Sequence, residues 1–114
     1  MNDDCVFCKI IAGRIPAQIV HQDGDVVAIE DLHPQAPTHL LIIPRLHVPT
    51  LLDLSPDQAH LVGRIVETAG RLARERKLES GFRVVVNNGA GAGQTVYHLH
   101  FHLLGGRPMR WPPG

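Results

Sequence analysis

The chain is predicted to form a single α+β domain over residues 1–114, with a five-stranded, mostly antiparallel sheet, one long helix and a short N-terminal helix. Three observations lead to this prediction. Five apolar segments have the length and residue content of strands, and one longer segment has apolar residues at helical spacing. No internal repeat and no linker rich in glycine, serine and proline divides the chain.

The N-terminal part of the chain is predicted to contain the short helix and a hairpin. Apolar residues within residues 5–11 recur at the spacing of an amphipathic helix. Residues 19–21 and 26–30 are predicted to be two strands joined by a tight turn. The pair Asp23-Gly24 lies in that turn, and we expect it to supply the positive φ angles that such turns require.

The rest of the chain supplies a central strand, the long helix and two further strands. Residues 38–43 contain a continuous apolar run, which is typical of a strand buried on both faces. The long helix is predicted to begin at Ser55, because a proline follows this N-cap residue and Gln58 completes a capping box. Residues 82–86 and 98–104 are predicted to be the last two strands, joined by a glycine-rich loop.

Charge and hydropathy exclude several classes of partner. The chain has 11 lysine and arginine residues against 11 aspartate and glutamate residues, so it has no electrostatic footprint for nonspecific binding of nucleic acid or an anionic membrane. No apolar stretch of the sequence approaches the ~20 residues that a membrane-spanning helix needs. We therefore expect a cytoplasmic protein that binds neither nucleic acid nor membranes.

Histidine is unusually frequent, and three of the 8 histidines alternate with apolar residues in the run His98-Leu99-His100-Phe101-His102. Successive side chains of a strand point to opposite faces, so the three imidazoles are predicted to share one face of the last strand. Protonating all three is costly at this spacing, so at least one should stay neutral near pH 7 and be a competent nucleophile. Histidines two residues apart also suit zinc, so the spacing leaves a metal site open.

A glycine-rich loop over residues 87–95 leads directly into the histidine run. It is neither a Walker loop nor a dinucleotide-binding fingerprint, because it has no Gly-Lys-Ser/Thr ending and no following helix. Its backbone amides, with Gln94 and Thr95 as side-chain donors, are candidates to bind a phosphate, and an ordinary hairpin loop is the alternative. Asp31 is a candidate acceptor for two ribose hydroxyls, and a simple turn residue is the alternative there.

The two cysteines of the chain, Cys5 and Cys8, lie three residues apart. This spacing suits metal ligation or redox chemistry better than a structural disulfide framework. The strand-to-helix context of a thioredoxin-like redox motif is missing, which weighs against the redox alternative.

Taken together, several motifs spread over the chain resemble the histidine-triad (HIT) superfamily and, within it, the Hint branch of purine nucleoside phosphoramidases. The motifs that carry the resemblance are Pro34-Gln35-Ala36-Pro37-Thr38-His39, Ile43-Pro44 with His47, Val85-Val86-Asn87, Gly93-Gln94-Thr95-Val96-Tyr97-His98, and Gly105-Gly106-Arg107 with Trp111-Pro112-Pro113-Gly114. The similarity covers nearly the whole chain, although the segment 49–79 carries little of it.

The resemblance implies a fold and a set of nucleotide contacts. It implies a homodimer in which two five-stranded sheets join into one continuous sheet. It also implies that AMP or GMP binds as the purine nucleotide. The residues at the matching positions are Phe7, Ile10 and Leu32 for the base, Asp31 for the ribose, and Asn87, Gly93, Gln94, Thr95, His100 and His102 for the phosphate. The three base-pocket positions are equally compatible with simple core residues.

The reaction implied by the resemblance is hydrolysis of a phosphorus–nitrogen bond in a nucleoside 5′-phosphoramidate, through a nucleotidyl-histidine intermediate. In that reaction His100 attacks phosphorus, while His102 binds a phosphate oxygen and assists the departing amine. His98 would position His100, and His39 would support the triad by hydrogen bonding. Strand alternation alone leaves His39 open as a satisfied buried histidine. The chemistry requires no cofactor.

The cysteine pair departs from typical eukaryotic Hint proteins and is similar to bacterial members that carry zinc. That pattern implies a ligand set of Cys5, Cys8, His47 and His98. Two thiolates and two imidazoles make a closed tetrahedral set, so the implied zinc is structural rather than catalytic.

Three other functions stay open on the sequence. One is hydrolysis of dinucleoside polyphosphates or nucleotidyl transfer, as in other members of the superfamily, although the tail at residues 111–114 favours the Hint branch. The second is a noncatalytic module that binds a nucleotide or a protein partner, against which the intact histidine run weighs. The third is a metal-dependent hydrolase.

Overall fold

The computed structural model describes residues 4–114, so residues 1–3 of the predicted domain lie outside the described part. Its five strands form one sheet in the order β1-β2-β3-β5-β4, and every neighbouring pair is antiparallel. The elements are α1 (Val6–Ile11), β1 (Ile19–Gln22), β2 (Val26–Glu30), β3 (Thr38–Pro44), α2 (His60–Glu75), β4 (Phe82–Val86) and β5 (Phe101–Gly105). The predicted α+β fold with one long and one short helix is confirmed.

The two faces of the sheet pack against different helices. On one face, Leu40, Ile42 and the β5 residue Leu103 pack with the apolar stripe of α2. On the other face, Leu41 and Ile43 pack with α1. All seven residues of β3 are buried, as predicted for a central strand. The helix α2 therefore leaves the opposite face of β5 available for His102.

The turn between β1 and β2 differs from its prediction. Gly24 does not have a positive φ angle, and the turn is held instead by the side chain of Asp23. Its Oδ1 accepts hydrogen bonds from the backbone amides of Asp25 at 2.8 Å and Val26 at 2.9 Å. Its Oδ2 lies 2.8 Å from His21 Nε2 and 3.3 Å from Arg64 Nη2, which connects the turn to α2. An aspartate side chain thus replaces the expected left-handed backbone.

The long helix begins later than predicted. Residues Pro56–Gln58 form a separate 3-10 turn, and α2 begins only at His60. The capping box is present, because Gln58 Oε1 accepts from the Ser55 amide at 3.0 Å. The Gln58 amide donates to the Ser55 carbonyl at 2.9 Å, an i→i+3 bond that defines the tighter turn.

The last strand is shorter than predicted, because β5 begins at Phe101 rather than at His98. The register of β3 with β5 ends at the pair Ile42 and Phe101. Just before it, the Leu99 amide donates to the Val48 carbonyl at 2.7 Å, outside the ladder. Leu99, Phe101 and Leu103 all lie in the α2-side core, so the apolar half of the predicted alternation is correct.

Neither of the two α-helices in the part of the chain that the structure describes is long and apolar enough to cross a bilayer.

Candidate active site and metal centre

His100 is a buried histidine with one ring nitrogen engaged and the other available. Its Nδ1 lies 2.8 Å from the carbonyl oxygen of His98, so Nδ1 carries the hydrogen and donates it. Burial lowers the pKa of His100 below its ordinary 6.5, and this effect outweighs the His98 carbonyl and the Asp31 carboxylate, which act in the opposite direction. The imidazole is therefore neutral at pH 7, with the lone pair on Nε2.

Two successive hydrogen bonds, from the Gln35 amide to His39 and from His39 to His102, fix the tautomer of His102. The backbone amide of Gln35 donates to His39 Nδ1 at 3.0 Å, so His39 carries its hydrogen on Nε2. That Nε2 lies 2.9 Å from His102 Nδ1, which must then be the acceptor. In the neutral state, His102 therefore carries its hydrogen on Nε2.

The Nε2 atom of His102 is the only fully buried side-chain nitrogen or oxygen within residues 4–114 that lacks a hydrogen-bond partner. Burial, with smaller contributions from the neighbouring His100 and His39, lowers the pKa of His102 to about 4. The rings of His100 and His102 are 5.1 Å apart between centroids. An unpartnered buried donor beside a free lone pair is unusual in a folded protein and indicates a site for a ligand oxygen.

Asp31 lies at the edge of this group of histidines. Its Oδ2 is 3.4 Å from His39 Nε2, and its Oδ1 accepts a 2.7 Å hydrogen bond from the backbone amide of His33. The Asp31 side chain is half-buried, with 18% of its surface exposed. Part of the carboxylate is therefore used by the turn, as the alternative for this residue expects, and part remains open to a ligand.

The three residues assigned to the base pocket occupy different environments. The Phe7 ring packs edge-on against His100, with centroids 5.0 Å apart, and against His98 at 6.0 Å. Ile10 is buried beside Phe7 in the same apolar cluster. Leu32 is 85% exposed, so the structure does not bring it into that cluster. Phe7 and Ile10 therefore contribute to the core, as the alternative reading expects, while Phe7 also contacts the histidines.

The glycine-rich loop is held in place by Gln94. Its Oε1 accepts from the Gly89 amide at 2.8 Å, and its Nε2 donates to the carbonyls of Pro49 at 2.8 Å and Val96 at 3.0 Å. Both amide hydrogens of Gln94 are thus engaged by carbonyls, and the side chain ties the loop to Pro49. Thr95 is exposed, Asn87 is half-buried, and Gly93 adopts a φ angle of 91° that only glycine tolerates easily.

Cys5, Cys8, His47 and His98 bring one ligand atom each to a common point, with all four atoms within 4.8 Å of one another. The Nδ1 atom of His98 lies 3.2 Å from Cys5 Sγ, 3.5 Å from Cys8 Sγ and 3.2 Å from His47 Nδ1. Ordinary zinc–ligand bond lengths at tetrahedral angles predict separations of about 3.5 Å for nitrogen to sulfur and about 3.3 Å for nitrogen to nitrogen. The donor set and its geometry therefore fit a tetrahedral zinc ion.

The orientation of His98 supports the same interpretation. His98 is fully buried, and its Nε2 donates to the Pro44 carbonyl at 2.7 Å. Nδ1 is left without a hydrogen and faces the thiols, which is the arrangement that a metal-ligating imidazole adopts when a carbonyl orients it. Burial is the main cause that lowers the pKa of His98 to about 4, so the ring is neutral at pH 7.

Two groups of this site were missed by the sequence analysis. They are the Gln35 amide, which orients His39, and the Pro44 carbonyl, which orients His98. Both residues lie in motifs quoted for the resemblance, but the functional atoms are backbone atoms. A side-chain pattern therefore carries no direct signal for them.

Comparison with known proteins gives consistent matches over the chain. A model of the HIT domain family matches residues 12–109. A purine nucleoside phosphoramidase of Escherichia coli K12 is 44% identical over 110 residues, which are 96% of this chain and 92% of that protein. An uncharacterized HIT-like protein of Synechococcus elongatus is 46% identical over 114 residues, the full length of both chains. A solved structure of a HIT family hydrolase from Legionella pneumophila has a TM-score of 0.94 at 51% identity, covering 96% of this chain and 99% of that one.

Proposed function

The chain belongs to the HIT domain family, and on that premise we propose that it hydrolyses the phosphorus–nitrogen bond of purine nucleoside 5′-phosphoramidates. The products are a nucleoside monophosphate, AMP or GMP, and an amine. The relative from Escherichia coli that is named a purine nucleoside phosphoramidase supports this choice of reaction. We place the reaction in the cytoplasm.

The observation that carries the proposal is the pair of available nitrogens on neighbouring histidines. His100 has a free lone pair on Nε2 because its Nδ1 donates to the His98 carbonyl. His102 has a free N–H on Nε2 because its Nδ1 accepts from His39. A phosphoryl group needs both, since one nitrogen attacks phosphorus and the other binds an oxygen or the leaving group.

In the first step, the lone pair of His100 Nε2 forms a bond to phosphorus as the phosphorus–nitrogen bond of the substrate breaks. The bonding electron pair leaves with the amine, whose nitrogen takes its proton from solvent, while the Nε2–H of neutral His102 donates a hydrogen bond to a phosphate oxygen. The product of this step is a nucleotidyl-histidine with the Nδ1–H of His100 still bonded to the His98 carbonyl. That hydrogen bond stabilises the positive charge that develops on the imidazole ring.

In the second step, water attacks phosphorus and the bond to His100 Nε2 breaks, so its electron pair returns to the ring. One proton of the water stays on the nucleoside monophosphate, which is released, and the other returns to solvent. Each proton and electron pair is thereby returned, and the enzyme is ready for another turnover.

The nucleotide contacts are proposed at the positions that the family pattern indicates. Asp31 would accept the ribose hydroxyls, and Phe7 and Ile10 with the exposed Leu32 would bound the base. Asn87, Gly93 and Thr95 would contact the phosphate beside His100 and His102. Because its side chain is occupied, Gln94 would act by holding the loop rather than by donating to phosphate.

Zinc is proposed at Cys5, Cys8, His47 and His98. When bound, the ion would fix these four side chains and would leave no open coordination position for water. The cluster therefore takes no part in the two steps above.

Trapping of the intermediate tests the proposed function. The protein is mixed with adenosine 5′-phosphoramidate labelled on phosphorus and quenched under denaturing alkaline conditions. We expect label on the wild-type chain and none on His100→Ala, which should still bind AMP in a calorimetric titration. His60→Ala removes an exposed histidine and is the matched control, with wild-type labelling expected. Normal turnover by His100→Ala would refute the mechanism.

A further inference from the structure

We infer that the Cys5, Cys8, His47 and His98 site controls the position of the nucleophile, because its occupancy fixes α1 and thereby the surroundings of His100. This inference rests on the proposed function of His100 and adds a positioning role for the metal ligands. It concerns how the ring is held and adds no chemical step.

The helix α1 depends on the cluster at its N-terminus. It has only 6 residues, and helices of that length are marginal without tertiary support. Cys5 is its N-cap and Cys8 lies in its first turn, with the Cys8 amide donating to Cys5 Sγ at 3.2 Å. Two of the four ligands thus belong to this helix, while His47 and His98 belong to segments beside the sheet. Occupancy of the site would join α1 to the sheet.

Phe7 is the residue through which α1 contacts the active-site histidines. It lies between the two cysteines in sequence, and its ring packs edge-on against His98 and His100. Phe7 is 6% exposed, so its contact with the nucleophile is buried. Movement of α1 away from the sheet would remove the packing contact of Phe7 with the His100 ring.

His98 provides a second connection between the cluster and His100. Its imidazole faces the thiols, and its carbonyl oxygen accepts the hydrogen that fixes the tautomer of His100. One residue therefore joins the ligand set to the hydrogen bond that leaves the Nε2 lone pair free. Both connections, through Phe7 and through His98, end on the same ring.

The first experiment compares zinc-loaded protein with protein stripped by a chelator. The Nδ1–H of His100 is followed by nitrogen-15 NMR of the histidine rings, and AMP affinity is followed by calorimetry, so neither readout depends on turnover. We expect stripping to speed exchange of that ring proton and to weaken AMP binding about tenfold, the lower limit typical of groups that orient functional ligands. An unchanged ring signal in stripped, folded protein would overturn the inference.

Variants of α1 decide the question even if the stripped protein unfolds. In zinc-loaded Phe7→Ala we expect the metal to remain, as checked by cobalt substitution and thiolate absorption, while exchange of the His100 ring proton becomes faster. Phe7→Leu should restore part of the protection. Val6→Ala, on the exposed side of α1, is the matched control and should preserve the wild-type ring signal.

Phe7 is also proposed to contact the base, so weaker AMP binding alone would not separate that role from the positioning of His100. Exchange of the His100 ring proton reports only on the positioning and is therefore the decisive measurement. A wild-type ring signal in Phe7→Ala would overturn the inference. It would leave the proposed function standing, since labelling of His100 tests that function separately.

Discussion

At the scale of single residues, a backbone amide sets the tautomer of His102. The Gln35 amide donates to His39 Nδ1, and His39 Nε2 then donates to His102 Nδ1. Burial lowers the pKa of His39 below its ordinary 6.5, which keeps this series neutral at pH 7. The family resemblance implied that His39 supports the triad, whereas strand alternation alone left that open, and the structure adds the direction in which each hydrogen bond runs.

This series predicts the effect of replacing His39. We expect His39→Leu to lower kcat by about 10- to 100-fold, the range for groups that orient functional side chains, with little change in AMP affinity. His39→Gln retains a donor and an acceptor and should lose less. Steady-state kinetics with adenosine 5′-phosphoramidate measure both variants. A wild-type kcat for His39→Leu would show that the tautomer of His102 needs no such support.

The neutral state of His102 also predicts a pH dependence of stability. The pKa of His102 is lowered from its ordinary 6.5 to about 4, mainly by burial. Between these values the unfolded chain holds the proton and the folded chain does not, so the free energy of unfolding falls as the pH falls from 6.5 toward 4. Denaturant titrations at pH 7 and pH 5 measure this fall.

Matched variants assign that pH dependence to one residue. His102→Gln does not titrate in this range and should lose less stability between pH 7 and pH 5 than the wild type. His60→Ala, which removes an exposed ring, should lose as much as the wild type. An identical fall in His102→Gln would assign the effect to other groups.

At the scale of elements, apolar patterns predicted the strands and both helices, because burial decides where those segments lie. The connections were less predictable. Asp23-Gly24 has the composition of a left-handed turn, yet hydrogen bonds to the Asp23 side chain stabilise a different backbone. Ser55 has the composition of a helix N-cap, yet only a 3-10 turn follows it. Local residue types permit several turns, and between β1 and β2 the hydrogen bonds from the amides of Asp25 and Val26 to the Asp23 side chain select one of them.

The C-terminus of α2 gives a prediction at this scale. Lys77 adopts a φ angle of 60°, the left-handed conformation in which glycine is favoured. The amide of Leu78 donates to the Ala73 carbonyl at 2.9 Å, and that of Lys77 to Arg74 at 3.0 Å, which closes a Schellman motif. Lys77→Gly should raise the free energy of unfolding by about 1 kcal/mol, because the left-handed strain of a non-glycine residue is removed.

Urea denaturation of Lys77→Gly and Lys77→Ala tests this expectation. Lys77→Ala also removes the charge but retains the Cβ atom, so it should gain no stability. Equal stabilisation in the two variants would attribute the gain to the lost charge rather than to the backbone.

At the scale of the whole molecule, the metal cluster joins residues that are far apart in sequence. Cys5 and His98 are 93 positions apart, and their ligand atoms are 3.2 Å apart. The spacing of Cys5 and Cys8 indicated a metal or redox site, but no pattern within the sequence could supply His47 and His98 as partners. Only the folded sheet brings the segments that follow β3 and precede β5 beside α1, so a local pattern could not find these two residues. The family resemblance supplied them instead.

The sheet also has an apolar edge that supports the predicted homodimer. β4 is the last strand in the sheet order, and an edge strand presents unpaired backbone groups. Phe82 and Val84 on β4 are 44% and 40% exposed, and Val66 of α2, which lines the same groove as Phe82, is 54% exposed. Both faces of β3 are covered within one chain, so its burial gives no information on a dimer. We expect the second copy to pair at β4.

Sedimentation velocity measures this pairing directly. The wild type should sediment as a dimer, and Val84→Lys should sediment as a monomer, because a lysine at a sheet edge opposes pairing with a second strand. Leu52→Lys changes another exposed apolar residue, 93% accessible and remote in sequence from β4, and should remain dimeric. If Val84→Lys stayed dimeric while folded, the copies would have to meet on another surface. A monomeric wild type would remove the dimer altogether and leave each chain to hold its nucleotide with its own residues.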